Sequence, residues 1–176
     1  MRIEELIEAF ARDHKDFNHN PNPDAKPEEK AFYLIAAVDE DCDFVRNFNR
    51  AHSPCIAYSN LADAEVKNGQ VKMVRTIYFM MKAKGNPSKT QKQDDEQAFR
   101  IREAINEYIL EFVAWLQHQK RKASSPSDIP SISYDSIDWG GIPMRYNGWW
   151  VVGLSFYEVI ELRRCLVKEH FRSGLR

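Results

Sequence analysis

The sequence is poor in cysteine, in glycine and in net charge, and it has no long apolar run. Of its 176 residues 3 are cysteine and 7 are glycine, and 25 Lys+Arg against 26 Asp+Glu leave a net charge of −1. Each shortage excludes something. Cys42, Cys55 and Cys165 are widely spaced and form no C-x-x-C pair. Such an odd, sparse set reads as reduced thiols in an intracellular protein, mostly buried as small hydrophobes. A nearly neutral chain lacks the basic excess expected of a general nucleic-acid binder, so no direct nucleic-acid readout is expected. The longest apolar stretches, Ala31 to Val38 and Trp149 to Phe156, fall far short of the ~18 residues of a membrane span. At the N-terminus, MRIEELIEAFARDH scatters acidic residues among its apolar ones, which no signal peptide does. Cytoplasm is the expected compartment.

What is present is core-building material. Apolar residues make up 43% of the chain and charged residues 29%, and 10 Phe, 7 Tyr and 4 Trp supply 12% aromatics. These are globular values, which exclude a disordered tail, a collagen-like chain and a low-complexity scaffold. One domain over 1–176 is expected, burying roughly 70% of its unfolded surface, with loops at 18–30 and 123–131.

Periodicity locates the elements. Ile3, Leu6, Ile7 and Phe10 fall at i, i+3, i+4 and i+7, the stripe of a short amphipathic helix. The Asn/Pro segment 18–27 ends it. Ala31 to Val38 reads as a buried strand, Asp39 to Ala51 as a short helix, Pro54 to Tyr58 as a second strand and Val71 to Lys82 as a longer third. From Asp94 to about Gln119, the positions Ala98, Ile101, Ile105, Tyr108, Ile109, Phe112 and Leu116 keep a helical period. Acidic residues open that helix and Lys120, Arg121 and Lys122 close it, matching the macrodipole at both ends. Ser131 to Trp139 and Tyr146 to Leu162 follow as strands around Gly140 to Pro143, and 159–171 fits either a strand or a closing helix. The order predicts an α+β fold: a mainly antiparallel sheet of about five strands, packed by a long central helix and an N-terminal helix.

Several chemistry-like clusters have simpler readings. Ala83 to Thr90 (AKGNPSKT) sits between a strand and a helix, as a phosphate loop would. Yet Ser88 stands where the last glycine is needed, Pro87 removes a backbone donor, and no later strand supplies a magnesium-binding Asp. Asp13, His14, Asp16, His19 and Asp24 are metal-ligand types without a metal-ligand spacing. Asp39 to Asp43 reads as an acidic helix start. Cys55 near His52 is not a nucleophile pair, because catalytic partners meet in space rather than in sequence. No cofactor and no metal are expected.

The C-terminal aromatics are harder to absorb. Trp139, Tyr146, Trp149, Trp150 and Tyr157 crowd one hairpin, and adjacent Trp149 and Trp150 must face opposite ways. One tryptophan can enter the core; the other needs a second covered face, a partner or solvent. Tyr and Trp are enriched at interface hot spots, so these five are the candidate interface residues of a homo-oligomer.

The ordered pattern resembles that of phage tail-terminator and tail-completion proteins, including divergent versions in Bacteroidetes prophages. The matching pieces are Phe32 to Ile35, Ser53-Pro54-Cys55-Ile56, Val74 to Met81, the helix from Asp95 to Leu116, and the GWWVVGLSF run from Gly148 to Phe156. The segment 18–27 and the charged ending Arg163 to Arg176 have no counterpart in that pattern. The resemblance implies a non-enzymatic protein that forms a ring at the head-proximal end of a tail tube. There it would contact tail-tube and head-connector proteins, in the host cytoplasm or the assembled virion. Two other classes compete: a small nucleotide- or ligand-binding enzyme using 83–90, and an adaptor binding a peptide along a sheet edge.

Overall fold

The computed structural model describes residues 2–35, 50–59, 63–67, 69–82, 91–125, 128–140, 144–146 and 148–161. Among them are helix α1 (Ile3–Asp13), a single 3-10 turn (Pro27–Glu29) and strands β1 (Phe32–Ile35), β2 (Cys55–Ser59), β3 (Ala64–Lys67) and β4 (Gln70–Lys82). Helix α2 (Gln91–Lys122) and strands β5 (Ile132–Trp139), β6 (Met144–Tyr146) and β7 (Trp149–Glu161) complete the set. The α+β class holds. The sheet runs β1-β2-β4-β7-β5, with β3 also on β4 and β6 also on β7.

Three expectations need correction. The sheet is mixed, because β1 and β2 pair in parallel, Phe32 against Ile56 through Ile35 against Ser59. The connection between them, 36–54, is long enough for the crossover that a parallel pair demands. Seven strands are described rather than about five, since β3 and β6 are short strands that hairpins add to the long ones. The single strand expected over 146–162 is divided at Gly148, whose φ of +82° makes the turn between β6 and β7. The helix expected over 39–51 and the segment 162–171 lie almost wholly outside the described residues.

The two helices cover one face of the sheet. All four members of the α1 stripe (Ile3, Leu6, Ile7, Phe10) are buried, as are Ile101, Ile105, Ile109, Phe112 and Leu116 of α2. They meet Ile56, Tyr58, Ile77, Phe79, Val152, Leu154 and Phe156 from the sheet in one cluster. Phe112 joins the layers, with ring centroids 5.1 Å from Phe10 and 5.8 Å from Phe79. The other face is also closed at one end, because Cys55, Ala57 and Met80 are buried. No helix among the described residues is long and apolar enough to cross a membrane.

β4 and β7 are the backbone of the sheet. They pair along thirteen residues each, from Gln70 against Glu161 to Lys82 against Trp149. Within this ladder the Arg75 guanidinium donates to Glu158, Nη2 to Oε2 at 2.6 Å and Nε to Oε2 at 2.7 Å. The Tyr58 hydroxyl is buried on the same face without a hydrogen-bond partner. Burial pushes its pKa up to about 12.

Candidate functional site

The five aromatic positions separate into distinct environments. Trp149 is 1% exposed, a core residue with the Lys82 ammonium 5.1 Å over its ring. Lys82 is fixed there by donating to the Ala51 carbonyl at 2.7 Å. Trp149 is therefore unavailable as a contact surface, which corrects its place among the candidate interface residues. Trp139 and Trp150 are half-buried against the core edge. Tyr146 stands opposite Trp149 in the β6–β7 hairpin, and its side chain lies outside the described part of the structure. Tyr157 is 41% exposed but lies eight residues along β7 from Trp149, about 26 Å away at strand rise. The hairpin thus gathers Tyr146, Trp149 and Trp150 with Trp139 nearby on β5, and it leaves Tyr157 at the far end.

Register places Trp139 and Trp150 on one face. Trp139 pairs with Leu154, and Trp150 lies four residues from Leu154 along the same strand, so both share the face covered by α2. α2 also carries two large apolar residues that its core periodicity does not include. Phe99 is 58% exposed and Leu110 is 56% exposed. They are three helical turns apart and therefore stand on one line of the helix. Glu111 and Tyr108 point the opposite way, towards α1, while Lys120 reaches over the Tyr134 ring of β5 at 5.0 Å. Phe99 and Leu110 thus lie on the flank of α2 turned away from α1, and Trp139 and Trp150 lie on the sheet face that α2 covers. The signal in the sequence was the two large apolar residues out of phase with the buried stripe.

The histidines form joints. Asp16 N–H donates to His14 Nδ1 at 3.2 Å, which leaves Nε2 to donate to Glu111 Oε2 at 2.7 Å. Tyr108 O–H donates to Asp16 at 3.1 Å, and burial followed by the Asp16 charge pushes its pKa up to about 12. These bonds fasten the end of α1 to the middle of α2. His19 Nδ1 accepts the backbone N–H groups of Ala31 at 3.1 Å and Phe32 at 3.3 Å, and Nε2 faces Glu8 at 3.4 Å. Burial lowers its pKa, so the ring is held neutral.

A shallow cleft of about 260 Å³ opens beside Glu8, His19, Asn20, Lys30, Phe32 and Leu34. Its imidazole is committed at both nitrogens, and its ammonium donates to the Pro23 carbonyl at 2.9 Å. Among the described residues no three His, Cys, Asp or Glu side chains gather as a metal site. Asp13 instead accepts from Arg12 at 2.9 Å, away from His14 and His19. Cys55 is fully buried in β2, and burial pushes its thiol pKa up. His52 Nδ1 pairs with the Pro54 carbonyl at 2.9 Å rather than with that sulfur. The segments 39–43 and 83–90 lie outside the described residues. No family model matches the chain, and no curated protein matches it in sequence.

Proposed function

We propose that the protein is a non-enzymatic structural protein of the phage tail-terminator or tail-completion type. It acts by assembling with copies of itself into a ring. Its interface is the β5–β6 edge with the adjoining side of α2, contacting through Phe99, Leu110, Trp139 and Trp150. In a virion it would meet tail-tube and head-connector proteins, first in the host cytoplasm.

The observation that carries this reading is the exposed pair Phe99 and Leu110, aligned on one face of a helix otherwise amphipathic in phase. Large apolar side chains collected on one side of a domain mark an interaction surface. Half-buried Trp139 on the edge strand β5 and Trp150 one strand inward on β7 supply the residue type most enriched where binding energy concentrates. The order of elements, with a long helix packed on β4 and β7, supports the resemblance in the sequence.

Size-exclusion chromatography with light scattering, paired with negative-stain microscopy, tests the proposal. The protein should form particles of more than two copies, with rings in the images. Phe99→Ser combined with Leu110→Ser should abolish them while leaving far-ultraviolet circular dichroism unchanged. Finding no assembly larger than two copies at the highest soluble concentration would refute the reading. Trp149→Ala is unsuitable here, since it would open the core.

A further inference from the structure

The opposite edge of the sheet carries a separate feature. β2 pairs with the 76–80 part of β4, whereas β3 pairs with 70–73, so β3 extends the sheet beyond the end of β2. Ala64, Glu65 and Val66 are exposed, Val66 at 68%. Among the described residues β4 is its only strand neighbour. Val66 stands opposite Val71, and Val71 stands opposite Ile160 of β7, which is 42% exposed. Three β-branched residues therefore form one rung across three strands, on a single face.

The backbone of β3 has a defined direction. The Asp63 carbonyl accepts the Val74 N–H at 3.0 Å, so position 63 bonds inward to β4. Antiparallel ladders alternate, which turns 65 and 67 inward and 64 and 66 outward. The N–H and C=O of Val66 thus face away from the sheet, ready to pair with another strand.

We propose that β3 pairs antiparallel with β3 of a second copy of this chain, about a two-fold axis through Val66. In this register the two Val66 residues exchange both N–H···O bonds. The two rungs merge into one line, Ile160–Val71–Val66 continued by Val66–Val71–Ile160 of the second copy. Position 65 of each copy then stands opposite position 67 of the other, a glutamate against a lysine, twice. These are non-hydrogen-bonded positions, where facing side chains come closest. The neighbouring register, centred on position 65, would set Glu65 against Glu65. Charge therefore selects one pairing, and a segment with opposite charges on either side of a β-branched residue is complementary to itself. This contact is independent of the ring interface, which lies on the other edge.

Sedimentation velocity in a Phe99→Ser/Leu110→Ser background separates the two contacts. The background protein should dimerise reversibly. Adding Glu65→Lys or Lys67→Glu should each weaken the dimer by about tenfold or more, because each places like charges opposite each other twice. An equimolar mixture of the two should regain association, since opposite charges face each other again across the mixed pair. Val66→Pro removes only an outward N–H and leaves the ladder to β4 intact, so it should abolish the dimer with the circular dichroism unchanged. A monomeric background protein, unaltered dimerisation of either charge variant, or a mixture no better than its components would each overturn the proposal. Rings lost on Phe99→Ser/Leu110→Ser would survive that outcome, so the two readings fail separately.

Discussion

Replacing Glu158 by leucine tests how the charged pair in the middle of the sheet is held. Arg75 and Glu158 are diagonal neighbours across β4 and β7, Arg75 facing Phe156 and Glu158 facing Met73. Their side chains are 12% and 13% exposed, and the guanidinium offers two nitrogens to one carboxylate oxygen. A pair this enclosed has lost most of its hydration, so removing Glu158 takes away the carboxylate that two guanidinium nitrogens hold and leaves a poorly hydrated charge. Breaking a buried pair costs about 3–5 kcal/mol, and the residual water access here moves the expectation to about 2–4 kcal/mol. At this chain length 1 kcal/mol shifts the melting temperature by about 2–4 °C, so a fall of about 4–16 °C is expected. Replacing both, Arg75→Leu with Glu158→Leu, removes that poorly hydrated charge as well as the attraction. The double variant should lie within about 1 kcal/mol of the parent, so single losses of about 2–4 kcal/mol each leave a coupling of at least about 3 kcal/mol. Urea unfolding followed by circular dichroism measures all four corners of the cycle. Additive losses, with coupling below about 0.5 kcal/mol, would refute the reasoning, because the two groups would then be solvated independently.

Other outcomes follow from the same geometry. Tyr58→Phe deletes a buried hydroxyl without a partner, so stability should stay the same or rise by up to about 1 kcal/mol in urea unfolding; a loss above about 1.5 kcal/mol would reveal an ordered water or another partner. His19 has a folded-state pKa below its unfolded value, so the unfolded chain takes up the proton first. Stability should therefore be full above the unfolded value near 6.5 and decline as pH falls through it towards the lower folded value, a slope that His19→Asn removes in thermal melts. Phe112→Ala should cost about 3–5 kcal/mol because its ring joins both helices to β4, whereas Leu110→Ala, two residues earlier and exposed, should change stability by less than about 0.5 kcal/mol.

What the sequence could reveal depended on how local each cause was. α1 and α2 were legible because their buried residues repeat within the helix itself: Ile105, Ile109, Phe112 and Leu116 carry the period without help from a partner. β2 and β4 were legible for a similar reason, as short β-branched and aromatic runs bounded by breakers. The parallel pairing of β1 with β2 was not, since direction is decided by where a crossover returns, and no residue in Phe32–Ile35 encodes it. β3 was missed because Ala64-Glu65-Val66-Lys67 alternates too weakly to stand apart from a loop. At Trp149 and Trp150 the sequence required opposite faces but could not say which face the core occupies; the ladder from Lys82 to Trp149 decides that. Exposure of Phe99 and Leu110 was legible only by subtraction, as apolar residues left over once the helix had used its stripe.

The long β4–β7 ladder also constrains the order in which the chain can be built. A ribosome delivers Gln70–Lys82 well before Trp149–Glu161, and the helix between them emerges first. During that interval β4 has β2 and β3 on one edge and an unpaired row of backbone groups on the other, beside Ile77 and Phe79. Only the arrival of residue 161 allows the last pair, Gln70 with Glu161, to close. Such non-local pairing is slow and leaves a sticky edge during synthesis. Chains released before β7 should therefore aggregate or bind chaperones, and the yield of soluble protein should rise sharply only once that strand is complete.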